Sequence, residues 1–507
     1  MANDGRIKNS SRNMLWGVAA GFVSVFLPFI SRSIILRKLG ADYLGISTLF
    51  TSILQFLSLT ELGVGSAIVY TMYRPIAEND VDTLCGILNH IRKLYRIIGI
   101  VMLVVGTAIV PAVPVLVRGE APKGTNVYVL YYMYLLNSAL SYFFYGYMEC
   151  LFIAHQRKDV GTKRTMTVNM AVQFVQIVLL LTTRNFYVYA FIPIVGTIVI
   201  NLLNAYISRK MYPEIRPIGM VSEELRADVR RKLSGLIGTR MNSIVLHSSD
   251  TMIRSVFLGL TMAARYGNYY QVLGSVFGLI EIVFSSMTAS IGDKLVRDDL
   301  EENFLLFNRI SFANYWLISL CSVMLVCLYE PFVGLCYGPD MTLGQPFTIL
   351  MTVYFYIYQI QKSMFVFKDA AGIWYADRQR PYVAMITNVA LNLILVHAIG
   401  IYGIVISTIF AFVISLPWVN HVLFKNLFQR SGGGNLARML INLLITTSLC
   451  AISLQACGIC QAGIVGMAER IVICLIIPNL ALLAIYGRSE EFAYWRNVVL
   501  ALIKHGK

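Results

Sequence analysis

Apolar stretches about twenty residues long, each bounded by charges, proline or glycine, recur along nearly the whole sequence, and this recurrence fixes what the chain can become. They fall near 14–36, 43–70, 94–117, 126–154, 165–183 and 186–207, then near 234–258, 266–291, 304–328, 346–368, 382–398 and 402–424, and finally near 439–459 and 468–487. Away from water a backbone must satisfy its own polar groups, so such stretches are helices. The expected fold class is an all-α polytopic membrane protein with about 14 transmembrane helices, arranged as two pseudo-symmetric six-helix lobes plus two C-terminal helices. With 57% of the 507 residues hydrophobic, 14% charged and a mean hydropathy of +0.66, no room remains for a sizeable soluble domain.

The domain expectation follows the same boundaries: an N-terminal transmembrane lobe 1–207, a cytoplasmic amphipathic linker 208–233, a C-terminal lobe 234–424, two additional spans in 425–487 and a cytoplasmic amphipathic tail 488–507. In the linker, Val221, Leu225, Val229 and Leu233 recur every four residues behind Ser222, with acids in the first turn and bases in the last. The tail repeats the pattern with Phe492, Trp495, Val499 and Leu502, and both segments read as interfacial helices. Lys and Arg gather in alternate loops, outnumbering those on the other side by roughly four to one, which places both termini in the cytoplasm. The net charge of +15 is thus explained by anionic headgroups, and nucleic acid is not an expected partner.

Nine cysteines, mostly within apolar stretches, define no disulfide framework. Cys457 and Cys460 have CxxC spacing without further ligands nearby in sequence, so no metal is expected. Walker A, HExxH, GxSxG and Gly-rich dinucleotide patterns are missing; the chain does not read as an enzyme, and no cofactor is expected.

Ionisable groups at mid-bilayer cost about 2.5–3.5 kcal/mol each, so they face a partner or a cavity. On span seven Arg240, His247, Asp250 and Arg254 share one helical stripe, and span one carries Arg32 one turn after Pro28. The arginines are candidates for holding an anion. Amide and phenol groups at Gln55, Asn137, Tyr145, Asn169, Gln173, Asn388 and Asn392 form rows suited either to hydrogen bonding a glycan or to tying helices together. Glu61, Glu149, Asp250 and Glu281 are candidate coupling or structural acids, with H⁺ or Na⁺ open as the coupling ion.

A faint internal repeat links LGADYLG, with Tyr43 ahead of Ser66, to YGNYYQVLG, with Tyr266 ahead of Ser290. Duplication of a six-span unit puts the expected binding site where the two lobes meet. The block from Leu36 to Asp80 resembles the second span and following loop of bacterial polysaccharide flippases, the Wzx-type branch of the multidrug/oligosaccharidyl-lipid/polysaccharide exporter superfamily. Tyr266 to Leu295 is similar to that family's eighth span. The resemblance implies alternating access moving an undecaprenyl-diphosphate-linked oligosaccharide across the bacterial cytoplasmic membrane for surface polysaccharide biosynthesis. It further implies a monomer embedded in the bilayer, with polysaccharide polymerase and chain-length proteins as candidate partners, and cavity arginines at Arg32 and Arg240 or Arg254. Span eight has no interior basic residue, which departs from the family pattern. The alternative is a cation-coupled exporter of amphipathic small molecules, although span one carries Arg32 where that branch carries acids.

Overall fold

The computed structural model describes residues 27–58, 64–117, 121–122 and 124–505, without the side chains of 64–67, 70, 227–240, 242–247, 286, 289–290, 296, 499 and 501–505. Glu61 and the start of span one therefore lie outside the described residues, as do the side chains of Arg240 and His247. The chain forms two compact units, Met1–Gly267 and Asn268–Lys507. Every regular element among the described residues is helical.

Among the described residues, eight helices are long and apolar enough to cross a bilayer: Val81–Leu116, Lys158–Thr183, Phe186–Met211, Leu300–Tyr337, Arg380–Ile399, Ile401–Phe428, Gly433–Cys457 and Gly463–Tyr486. This is a multi-pass membrane protein. The helices run several residues past the apolar stretches that announce them, as when Lys158–Thr183 begins seven residues before the hydrophobic stretch at 165. Hydrocarbon thickness sets the length of apolar sequence, whereas the helix continues into the headgroup region on its own hydrogen bonds.

Several expected spans are broken rather than continuous. The fourth consists of Val127–Phe143, a turn at 144–145, and short helices Gly146–Met148 and Glu149–Ala154. The tenth divides into Gln345–Ile360 and Lys362–Ala370 at Gln361. The helical stretch Glu223–Arg297 contains one non-helical residue, Gly259, with φ 82° and ψ 170°. Only glycine adopts such a positive φ without a Cβ penalty, so Gly259 is the point that separates span seven from span eight. The expected linker helix opens as the sequence indicates, with the Leu225 amide donating to Ser222 Oγ at 3.3 Å. It does not stop at 233, however, but runs on into span seven as one helix.

In the first unit, Ala41–Leu57 supplies the centre of the core through Ile46, Leu49, Phe50 and Ile53, all essentially buried. Phe50 meets Tyr131 and Tyr134 edge-on at 5.3 and 5.8 Å. The same helix lies against the start of span eight: a Cβ on Gly45 would stand 2.3 Å from the Leu260 carbonyl oxygen, and Thr261 donates to Asp42 at 2.9 Å. Gly45→Ala should therefore lower thermal stability in detergent by about 1–3 kcal/mol, the usual cost of overpacking. Gly274→Ala, where nothing lies within 4 Å of the added methyl, should leave it nearly unchanged. Equal melting of the two variants would refute the close approach.

The second unit is built around Leu300–Tyr337, with Phe307 at 5.3–5.5 Å from the rings of Phe367, Phe424 and Phe428. Its last helix, Glu490–His505, turns its aromatic face onto protein. Phe492 stacks on Trp316 at 5.8 Å, Trp495 Nε1 donates to the Arg309 carbonyl at 2.8 Å, and Arg309 lies 4.2 Å over the Tyr494 ring. The apolar face expected at the membrane surface thus buries these aromatics on a neighbouring helix. Periodicity reveals that a face must be covered but not by what.

Candidate functional site

Two of the arginines singled out in the sequence come to adjacent residues of one backbone segment within the first unit. Arg254 is 4% exposed, and its guanidinium lies 3.6 Å over the ring centroid of Tyr266. Nη2 donates to Thr251 Oγ1 at 2.6 Å, while Nε and Nη1 are buried with no hydrogen-bond acceptor. One residue on, Gly267 stands so near Arg32 that a Cβ there would be 2.9 Å from Nη2 and 3.4 Å from Thr48 Oγ1. The missing side chain at Gly267 lets the end of the Arg32 side chain lie against the backbone there.

This corner brings together two arginines and one buried acid. Asp250, 6% exposed on the same helix, is the acid nearest in sequence. An arginine face pressed onto a phenol ring gains a cation–π interaction while its edge N–H groups remain directed outward. Five donors in a fixed fork match a planar or tetrahedral oxyanion, and two nitrogens without acceptors in a buried setting favour any anion that reaches them. Tyr134 donates to Ser47 at 2.8 Å on the helix that carries Thr48, extending the polar surface.

The polar rows separate into two kinds. Gln55 and Asn169 are exposed on their helices. Asn137 accepts from Thr197 Oγ1 at 2.8 Å, and Gln176 donates to the Tyr189 carbonyl at 2.9 Å, one turn from half-buried Gln173. Tyr145 sits at the break in span four beneath Arg209, whose guanidinium is 5.4 Å from its ring. Asn388 and Asn392, both fully buried in the second unit, form a ladder in which Asn392 donates to Asn388, Asn388 to Thr408 and Ser407 to Asn392. That ladder joins Arg380–Ile399 to Ile401–Leu423.

Two of the acids are also engaged. Glu149 pairs with buried Arg164 at 3.4 Å, and Arg164 also donates to Asn204. Glu281 pairs with Lys362. Three features escaped the sequence reading: Tyr266 as the platform beneath Arg254; Lys368 and Arg380 paired to Asp377; and Glu330, which accepts from Tyr269, from the Gly344 amide at 2.9 Å and from Thr348 at 3.1 Å. The spacing of Arg254 and Tyr266 across a glycine break is a signal available only once that break is located. One cavity of about 260 Å³ lies elsewhere, among the loops lined by Tyr43, Thr125, Arg184, Asn185 and Tyr187. It does not include the arginine corner, whose chemistry rests on side-chain geometry instead.

Solved structures share this arrangement of helices. The lipid II flippase MurJ in an inward closed conformation matches with a TM-score of 0.66 and 13% identity over 93% of this chain and 99% of that one. This chain shares its fold with solved transporters described as members of the MOP superfamily. A multidrug resistance MATE family transporter in an inward-facing conformation matches at 0.63 and 15% identity, over 82% and 99% of the two chains. A MOP superfamily transporter from Pyrococcus furiosus, described by the reversed polarity of its binding pocket, matches at 0.57 and 14%, over 84% and 97%. No family model and no curated protein matches the sequence. The structural neighbours are transporters and a flippase rather than enzymes.

Proposed function

We propose that this chain is a flippase for a lipid-diphosphate-linked oligosaccharide, of the Wzx-type polysaccharide class, working by alternating access in the cytoplasmic membrane with both termini inside. The observation that carries the reading is the buried guanidinium of Arg254, held on Tyr266 with Nε and Nη1 unaccepted, beside Arg32 at Gly267. A diphosphate supplies the acceptors such groups need. Arg240 and His247 lie on the same helical stripe and extend the role along span seven. Exposed Gln55 and Asn169 are the amides best placed to meet sugar hydroxyls, whereas Asn388 and Asn392 hold each other. Two six-span lobes joined through 208–233 would supply the moving bodies, and a polymerase and chain-length proteins would receive the product.

A second reading, a cation-coupled exporter of amphipathic small molecules, is favoured by buried Asp250 on the helix that carries Arg254 and by the likeness to MATE transporters. One experiment separates the two. Purified protein reconstituted in liposomes is given undecaprenyl diphosphate carrying a short oligosaccharide and, separately, tetraphenylphosphonium. The flippase predicts saturable binding and leaflet exchange of the former. Saturable export of the phosphonium with no response to the lipid diphosphate would replace it with the exporter.

A further inference from the structure

The CxxC pair at Cys457 and Cys460 looked too isolated to bind a metal, yet folding brings Cys457 together with two cysteines far away in sequence. The Sγ atoms of Cys327, Cys457 and Cys474 all lie within 4.8 Å of one another. They come from three helices of the second unit, Leu300–Tyr337, Gly433–Cys457 and Gly463–Tyr486, and each is no more than 1% exposed. Val323, Val326, Leu449 and Leu482 surround them. Apolar packing alone does not call for three sulfurs at one point, because a Val or Ala would fill the same volume without a reactive group.

We propose that these three cysteines form a three-thiolate site for a soft divalent d¹⁰ cation of the Zn²⁺ and Cd²⁺ class. A Zn–S bond of about 2.3 Å places three trigonal sulfurs about 4 Å apart, so small side-chain rotations close the site from its observed spacing. Charge selects the ion. Three thiolates and a divalent cation carry one net negative charge, and Arg470, whose Nη1 is 3.5 Å from the Cys327 carbonyl oxygen, supplies one positive charge beside them. A monovalent soft ion would leave an uncompensated negative charge in apolar surroundings, which is costly. Binding breaks three S–H bonds and forms three S–metal bonds, M²⁺ + 3 RSH giving M(SR)₃⁻ + 3 H⁺, with no change of oxidation state. The protons leave to solvent. Because Cys457 ends one helix and Cys474 lies on the next, the ion would clamp the 433–486 hairpin to the Leu300–Tyr337 helix.

The test uses the full-length protein, purified in detergent under reducing conditions and titrated with Cd²⁺. The expected result is one Cd²⁺ per chain, three protons released per ion and an ultraviolet sulfur-to-cadmium charge-transfer band, all competed by Zn²⁺. Cys327→Ser, Cys457→Ser and Cys474→Ser should each weaken binding by more than the roughly 10- to 100-fold that changes outside a metal's own ligands cost. Cys321→Ser should bind normally. X-ray absorption at the cadmium edge of the unsubstituted protein should count three sulfur neighbours, a readout that holds even where a serine variant fails to fold. Oxygen or nitrogen neighbours, full binding by Cys474→Ser, or a disulfide between two of the three in freshly isolated protein would overturn the site.

Discussion

Arg254→Gln should weaken binding of the lipid diphosphate by about 1.5–3 kcal/mol, the scale of a hydrogen bond to a charged group, and so by roughly ten- to a hundredfold. The expectation comes from the state of the guanidinium: it is buried, stacked on Tyr266 and tethered to Thr251 through one nitrogen, while its two other nitrogens lack acceptors. Glutamine keeps a polar amide of shorter reach but loses both the charge and the planar fork. Arg254→Lys should restore little, because an ammonium neither forks onto a phosphate nor stacks in the same way. Arg32→Gln should act in the same direction, and the double variant should lose less than the sum of the single losses if both groups hold one anion. Isothermal titration of the solubilised variants against undecaprenyl diphosphate measures each loss. Unchanged affinity in Arg254→Gln, with a fall only in thermal stability, would make the arginine a structural partner of Tyr266 and remove the central support for the flippase.

What the sequence conveyed, and what it withheld, divides along a physical line. Bilayer thickness is a constraint on local sequence, so the helices Lys158–Thr183, Phe186–Met211, Arg380–Ile399, Gly433–Cys457 and Gly463–Tyr486 all appear near their expected places. Arginine in an apolar stretch is conspicuous because it is expensive, and Arg32 and Arg254 stood out on that ground alone. Partners across space carry no such mark. Nothing in periodicity announces that Tyr266 lies under Arg254, because the approach depends on the reversal at Gly259. Cys327 and Cys474 are separated from one another by more than a hundred residues and converge only through helix packing. The polar rows were visible, but whether an asparagine faces open space, as Asn169 does, or a neighbouring helix, as Asn388 does, is decided by rotation about the helix axis within the finished bundle. The tail shows the same limit: its aromatic stripe was legible, and its resting place on Trp316 and Arg309 was not.

Asp377→Asn should destabilise the second unit by about 3–5 kcal/mol, the cost of breaking a buried ion pair by removing one partner. Asp377 is 2% exposed and accepts from Arg380 through both carboxylate oxygens, at 2.7 and 2.8 Å, while Lys368 Nζ stands 3.2 Å from Oδ2. Both cations are themselves buried, at 4% and 6%, so neutralising the one acid strands two positive charges where water cannot reach them. Lys368 keeps a second contact, 3.2 Å to the half-exposed Asp369, and Arg380 lies 4.8 Å from the Phe365 ring; neither compensates fully for a lost buried carboxylate. The cluster closes the turn between Lys362–Ala370 and Arg380–Ile399, so its loss should appear as a drop in monodisperse yield and in the melting temperature of the purified protein. Adding Arg380→Gln to Asp377→Asn should recover part of the loss, since it removes one of the stranded charges. Glu281→Gln provides the contrast: its pair with Lys362 is more open, with the glutamate side chain 57% exposed, and should cost no more than about 1 kcal/mol. If Asp377→Asn melted like Glu281→Gln, water would have to reach the cluster, and the buried pairing would not be what orders this turn.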